Sequence, residues 1–260
     1  KVGDFTRVLK TPKDFFVGFF SQLIILPIVA YLLIIILKTP PEIAIGVMII
    51  AAAPGGVTSN ILTRFVNGDV ALSITLTAII SLISIVTVPF IIFTSADLLG
   101  ITNITENISM IGIALKMFLV VTVPVILGMI IRNFAENFVV SKAEIFNKLN
   151  MLLFVIFFVA AFYEEKENFI NFLKQAGLIT LTLNITMMIV AFFLAKYFTS
   201  GIAQMKAISL ECGLQNGTLA IFVSTQIFGA DILYATPTAA YALIMYLTGF
   251  IFVISLRKLN

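Results

Sequence analysis

The stretch that decides the fold is Leu210-Glu211-Cys212-Gly213-Leu214-Gln215-Asn216-Gly217-Thr218, which places an acid, two amides and two glycines inside an otherwise apolar segment. About eleven mostly apolar residues flank it on each side, and each flank would form roughly 16 Å of helix, about half of a bilayer. The polar stretch is therefore expected near the membrane midplane. A carboxylate there costs about 2.5 to 3.5 kcal/mol, which favours a cation as its partner. The alternative is a structural acid that bonds to neighbouring helices or stays protonated.

The composition is typical of a polytopic membrane protein. Of the 260 residues, 60% are hydrophobic and 11% are charged, and the mean hydropathy is +1.13. The chain has no histidine and one cysteine, which excludes histidine-based catalytic triads, His-ligated zinc, CxxC redox chemistry and internal disulfides. The net charge of +3 comes from loops and segment ends, so we expect a lipid bilayer as the surrounding partner and no nucleic acid.

Eight segments are long and apolar enough to span a bilayer, which predicts an all-α fold. They cover residues 14–37, 43–67, 69–94, 107–133, 142–163, 169–196, 203–227 and 237–257. If the N-terminus is cytoplasmic, twelve basic residues lie inside: Lys1, Arg7, Lys10, Lys13, Arg64, Arg132, Lys142, Lys148, Lys196, Lys206, Arg257 and Lys258. Only Lys38, Lys166 and Lys174 lie outside. This bias predicts a multi-pass protein of the cytoplasmic (inner) membrane with a cytoplasmic C-terminus.

A second interruption divides the second segment at Ala53-Pro54-Gly55-Gly56-Val57-Thr58-Ser59-Asn60. Proline removes a helix donor and the glycines relax the backbone, so this segment is expected to form two half-helices rather than a simple proline kink. Superposing segments 1, 2 and 3 on 6, 7 and 8 pairs the two broken segments in opposite directions, which is an inverted repeat typical of secondary transporters. Segments 4 and 5 have no earlier counterparts, so we expect two further helices upstream and ten in the complete protein.

Oxygen donors cluster around the first break. Ser59 and Asn60 follow it, while Ser73 and Thr77 are four residues apart on the third segment and share one helix face. Together with Glu211 they would form an all-oxygen cage, which suits sodium or another hard cation and not a transition metal. The alternative for the serine and threonine is a hydrogen bond to their own helix backbone.

These residues resemble those of the bile acid:sodium symporters. The resemblance rests on Pro54-Gly55-Gly56 through Asn60, on Val70-Ala71-Leu72-Ser73 with Thr77, and on Glu211-Cys212-Gly213-Leu214-Gln215-Asn216. It covers the whole chain, from the family's third helix to its tenth. It implies a core domain with two crossing discontinuous helices and a panel domain. Core helices of the first repeat would occupy residues 1–106, panel helices residues 107–168, and core helices of the second repeat residues 169–260.

The resemblance also implies two sodium sites and a substrate crevice. The first ion would be held by Ser59, Asn60, Ser73, Thr77 and Glu211. The second would be held by Glu211, the backbone oxygens of Cys212 and Leu214, and the side chains of Gln215 and Gln22; an isolated Gln22 would otherwise make an interhelical hydrogen bond. The substrate would contact Val57, Thr58, Asn216, Gly217, Thr218 and Tyr246. Met245-Tyr246 stand where relatives carry a polar His-Asn pair.

The resulting hypothesis is a sodium-coupled symporter that imports an organic anion, bile-acid-like or a smaller carboxylate, because two helix N-termini facing one cavity favour an anion. No cofactor is expected beyond the two coupling sodium ions. The alternative within the same architecture is an exporter or a proton-coupled antiporter in which Glu211 titrates. An intramembrane enzyme is not expected, because the deep segments lack paired acids and a Ser/His system. A channel is disfavoured because no ring of repeated filter residues is visible.

Overall fold

The computed structural model describes residues 12–101, 109–164, 166–229 and 232–259. These residues form helices and no strand. The ten helices are α1 (Pro12–Ile36), α2 (Pro41–Ala52), α3 (Val57–Phe65), α4 (Val70–Leu98), α5 (Met110–Phe134), α6 (Glu136–Glu164), α7 (Lys166–Phe198), α8 (Ile202–Gly213), α9 (Gly217–Phe228) and α10 (Ile232–Arg257). The described residues of all eight predicted segments are helical apart from the two interruptions, and the all-α prediction is confirmed. The predicted cytoplasmic charges Lys1, Arg7 and Lys10, and the domain boundary at residues 106–107, lie outside the described residues.

Both predicted interruptions are confirmed as breaks between two short helices. The second segment forms α2 and α3, and the seventh forms α8 and α9. α2, α8 and α9 have 12 residues each, which is about 18 Å and so only part of a bilayer. Among the described residues, five helices are long and apolar enough to cross a membrane alone, namely α1, α4, α5, α10 and the Lys174–Phe198 part of α7.

Some helices extend beyond the apolar runs that predicted them. Helix α6 begins at Glu136, six residues before the predicted segment, and its first turns are exposed and charged. Lys148 and Glu144 form an exposed i,i+4 ion pair there, with Nζ 2.8 Å from Oε1. Pairs of this spacing support a helix outside the hydrocarbon, where hydropathy gives no signal.

Two of the long helices contain a wider π-helical turn, one over Ser21–Ile25 in α1 and the other over Phe118–Thr122 in α5. In each case a proline follows the turn closely, Pro27 in α1 and Pro124 in α5. Proline cannot donate a backbone hydrogen bond and collides with the preceding turn, so a local widening of the helix absorbs it. The turn in α1 contains Gln22, which is buried.

Long-range hydrogen bonds bring the helix ends to common faces of the bundle. Near the start of α1, the buried Asp14 carboxylate accepts bonds from the Ser200 N–H and hydroxyl, just before α8. The buried Lys206 of α8 donates to the carbonyls of Val66 (3.0 Å) and Leu259 (2.8 Å), after α3 and α10 respectively. The starts of α1 and α8 and the ends of α3 and α10 therefore share one face. This is the alternation that an inverted repeat requires.

Candidate functional site

The two breaks cross each other in the interior of the bundle. Gly55 and Gln215 form an antiparallel backbone pair, although neither belongs to a strand. The pair is held by the Gly56 N–H to the Leu214 carbonyl (2.7 Å) and the Asn216 N–H to the Pro54 carbonyl (2.8 Å). The non-helical residues between the two half-helices of each segment thus pair their backbone N–H and C=O groups with those of the other segment. This pairing makes a non-helical crossing tolerable away from water.

The glycines at the crossing are required because neighbouring atoms lie too close to their Cα atoms to leave space for a side chain. An added Cβ at Gly55 would lie 2.1 Å from Glu211 Oε1, and one at Gly213 would lie 2.3 Å from the Cγ of Met188. At Gly56 the nearest atom would be the Gln215 carbonyl oxygen, at 3.0 Å. The absence of a side chain at Gly55 therefore allows the acid on α8 to pack against the first break.

Glu211 lies in a cage of hydroxyl groups. Its side chain is 1% exposed, and one carboxylate oxygen accepts from Ser59 Oγ (2.5 Å) and Ser73 Oγ (2.7 Å). The other oxygen accepts from Thr77 Oγ1. Asn60 completes the cluster, with its Oδ1 2.7 Å from Ser73 Oγ. The structure thus brings all five residues of the predicted first ion site together, drawing them from α3, α4 and α8.

The residues predicted for the second ion site also lie around the crossing. The Gln22 amide donates to Gln215 Oε1 (3.2 Å), and the Gln215 amide donates to the Cys212 carbonyl (2.8 Å). The Leu214 carbonyl lies in the backbone pair already described. Gln22 and Glu211 are neighbours there, since an added Cβ on Gly55 would contact both. These residues supply oxygen atoms from side chains and main chain to one small region.

Gln22 leaves one acceptor unused in this region. Its Oε1 atom is buried and has no hydrogen-bond partner within the described part of the chain. An unpaired buried carbonyl oxygen costs about 1 to 3 kcal/mol, and a cation beside it would remove that cost. Together with the Glu211 carboxylate and the nearby main-chain oxygens, this acceptor makes the donor set chemically suited to sodium.

The predicted substrate residues lie around the start of the second half-helices. Val57 opens α3 and is exposed, and Thr58 is half-buried. Asn216 precedes α9, and its Oδ1 caps that helix by accepting from the Leu219 N–H (3.0 Å). Gly217 is buried, and Thr218 is exposed. Tyr246 lies half-buried on α10, and the hydrogen bonds of the described residues do not connect it to the other five.

One group of residues at the crossing was not anticipated from the sequence. Asn184 of α7 donates from Nδ2 to the Gly213 carbonyl (2.7 Å), and the Tyr241 hydroxyl of α10 donates to the same oxygen (3.0 Å). Thr248 Oγ1 in turn donates to Asn184 Oδ1 (2.5 Å). The available signal was a lone amide in the apolar run Leu183-Asn184-Ile185, the same signal that singled out Gln22.

Two discontinuous helices that run in opposite directions and cross at a buried acid define an inverted-repeat secondary transporter. Residues 1–172 match the Sodium Bile acid symporter family. The chain belongs to this family, which confirms the resemblance inferred from the three sequence motifs.

Similar proteins occur in bacteria, plants and animals. The chain is 29% identical over 251 residues to the "Uncharacterized sodium-dependent transporter YocS" of Bacillus subtilis, covering 95% of this chain and 74% of that protein. It is 27% identical over 236 residues to the "Probable sodium/metabolite cotransporter BASS1, chloroplastic" of Arabidopsis thaliana, covering 91% and 57% respectively. It is 23% identical over 216 residues to the "P3 protein" of Mus musculus, covering 83% and 45%.

The family and the two cotransporter-like relatives carry names of transporters and not of enzymes, in agreement with the sequence prediction. The chain spans little more than half the length of the plant relative and about three quarters of the bacterial one.

Proposed function

We propose that the protein is a sodium-coupled symporter that imports a small organic anion by alternating access to the two sides of a membrane. The observation that carries this proposal is the Glu211 carboxylate, buried at the crossing and surrounded by three hydroxyl groups. The names of the relatives, which describe sodium-dependent or sodium/metabolite transport, support the coupling ion.

In this proposal Ser59, Asn60, Ser73, Thr77 and Glu211 hold the first sodium ion. A hydroxyl group can either donate to the carboxylate or turn a lone pair toward a cation. The cage could therefore remain satisfied both with and without the ion, by rotating the hydroxyl hydrogens and moving the oxygens apart slightly to admit the ion. A site that must bind and release its ion in every transport cycle benefits from this small reorganisation.

The second ion is proposed to share Glu211 and to add the main-chain oxygens of Cys212 and Leu214 with the side chains of Gln215 and Gln22. The unused Gln22 oxygen supports this assignment.

Two sodium ions bring two positive charges to a cluster that contains one acid. The nearby N-terminal ends of α3 and α9 carry partial positive charge as well. A monoanionic substrate would neutralise this excess of positive charge, so we propose a carboxylate, bile-acid-like or smaller. It would lie beside Val57, Thr58, Asn216, Gly217 and Thr218, with Tyr246 as a further contact.

The moving parts follow from the same proposal. Residues 1–106 and 169–260 would form the core domain, which carries both ion sites, and residues 107–168 would contribute the panel helices α5 and α6. Because both halves of the core domain meet at the crossing, we propose that it moves as one body against α5 and α6. The protein would lie in the cytoplasmic membrane with a cytoplasmic C-terminus.

The experiment is a sodium titration of the full chain, purified in detergent, in which the unfolding temperature is followed at constant ionic strength with choline replacing sodium. Sodium should stabilise the wild-type protein. Glu211→Gln should lose this stabilisation, while the matched control Glu42→Gln, at the start of α2, should keep it. An unchanged response in Glu211→Gln would overturn the proposal. Uptake of taurocholate or short-chain monocarboxylates into proteoliposomes without sodium, driven by an outwardly directed proton gradient, would instead support proton-coupled antiport.

A further inference from the structure

The carbonyl group of Gly213 differs from the other carbonyls at the second break. Its oxygen accepts two side-chain hydrogen bonds, one from Asn184 and one from Tyr241. A carbonyl oxygen has two lone pairs, so both are used. The neighbouring carbonyl oxygens each accept one short hydrogen bond, Cys212 from the Gln215 amide (2.8 Å) and Leu214 from the Gly56 N–H (2.7 Å). Each therefore keeps a lone pair for another partner.

The two donors are held in place from several sides. Asn184 and Tyr241 are both completely buried, at 0% exposure. The orientation of the Asn184 amide is set by Thr248, whose hydroxyl donates to Oδ1 and thereby directs Nδ2 toward Gly213. Gly213 itself packs against Met188, with no space for a side chain. Helices α7 and α10 therefore fix the end of α8 at the residue between two of the proposed ion ligands.

We propose that Asn184 and Tyr241 are positioning residues of the second sodium site, which hold the Gly213 carbonyl away from the ion so that the Cys212 and Leu214 carbonyls face it. This inference rests on the proposed sodium coupling. Its physical basis is that Gly213 is the last residue of α8 whereas Leu214 is extended (φ −113°, ψ 90°), so the Leu214 carbonyl does not continue the helical direction of the carbonyls before it. Fixing the Gly213 carbonyl restricts the rotation of the peptide groups on either side, and so defines which oxygens the ion meets.

Tyr241→Phe tests the proposal with the smallest change, because it removes one hydroxyl and keeps the ring. We expect the sodium concentration for half-maximal thermal stabilisation to rise about two- to tenfold, the effect of losing one buried hydrogen bond from a ligand-orienting group. The matched control is Tyr234→Phe on the same helix, whose ring stacks on Phe228 at the far end of α9. It should leave the sodium midpoint unchanged.

A purely structural role for Tyr241 would lower the unfolding temperature equally at every sodium concentration and leave the midpoint where it is. That result would overturn the inference.

A double-mutant cycle adds a second readout. The effect of Tyr241→Phe on the sodium midpoint should be non-additive with that of Gln22→Ala, because Gln22 belongs to the same proposed site. It should be additive with that of Asn60→Ala, because Asn60 belongs to the other site. Equal coupling to both, or to neither, would also contradict it.

Asn184→Leu provides an independent variant. It removes the Nδ2 donor, while the Thr248 hydroxyl keeps its bond to the Ile244 carbonyl (2.8 Å), so the sodium midpoint should rise at least as far as in Tyr241→Phe. Failure of this inference is distinct from failure of the proposed function. If sodium stabilises the wild-type protein and Glu211→Gln abolishes the effect, but Tyr241→Phe and Asn184→Leu retain the wild-type midpoint, only the positioning role is wrong.

Discussion

Replacing Gly55 by alanine should weaken sodium binding although Gly55 is not itself a proposed ligand. The new methyl group would lie 2.1 Å from Glu211 Oε1, so the carboxylate would have to withdraw by about 1.3 Å to reach ordinary contact at 3.4 Å. Glu211 cannot do this freely, because Oε1 accepts a hydrogen bond from Thr77 Oγ1, and Oε2 of the same carboxylate lies 2.5 and 2.7 Å from the hydroxyls of Ser59 and Ser73. A shift of that size would break at least one of these bonds.

The magnitude follows from the bond that is lost. A hydrogen bond to a charged group contributes about 1.5 to 3 kcal/mol, and each 1.4 kcal/mol is a tenfold change in affinity. We therefore expect the sodium midpoint of Gly55→Ala to rise roughly 10- to 150-fold. The backbone contributes little to this effect, because the positive-φ glycines among the described residues are Gly100 and Gly229 and not Gly55.

The assay is the sodium-dependent shift of the unfolding temperature, supported by uptake into proteoliposomes. Gly128→Ala is the matched control, since a Cβ there meets no heavy atom within 4 Å, and it should bind sodium as the wild-type protein does. A Gly55→Ala protein with the wild-type sodium midpoint would refute the reasoning. It would mean that the Glu211 carboxylate does not need its present position to bind the ion.

Two further predictions concern the number of ions and the charge that moves. The variants Gln22→Ala and Asn60→Ala should each weaken one sodium site and spare the other. Direct ion-binding titrations should therefore find one unaltered site in each variant. Identical loss of both sites in both variants would contradict the assignment. Transport of two sodium ions with one monoanion carries one net positive charge into the vesicle. A potassium-diffusion potential that makes the interior negative adds about 2.3 kcal/mol of driving force per 100 mV for that charge. Uptake at a fixed sodium gradient should therefore increase. Uptake that is indifferent to the potential would rule out this stoichiometry.

Hydropathy predicted the helices well because the length of an apolar run is a local property of the sequence. The breaks were equally visible, since Pro54 and the glycines at 55, 56 and 213 stand where a spanning helix should continue. The residues of the Glu211 cage could be named because hard oxygen donors are conspicuous among aliphatic neighbours. Their grouping into two sites came from the resemblance to the symporters.

Other features depend on contacts between distant segments. The backbone pair between Gly55 and Gln215 involves groups that every residue possesses, so no residue type marks it in advance. The same applies to the Gly213 carbonyl, whose partners Asn184 and Tyr241 come from two other helices. The π-helical turn that contains Gln22 also escaped prediction, because Pro27 is compatible with a kink, a break or a widened turn.

The cage around Glu211 is divided unequally between the two halves of the chain. Helices α3 and α4 contribute the neutral oxygens of Ser59, Asn60, Ser73 and Thr77, whereas α8 contributes the only charge. Neither half alone would suit sodium, because one would offer dipoles without an anion, and the other an anion exposed to hydrocarbon. Sodium binding at the proposed site would therefore be linked to the association of the halves, since a ligand that binds only the assembled state stabilises that state. In the proposed cycle the coupling ion would also be a structural ion, one that holds the two repeats against each other each time the cage fills.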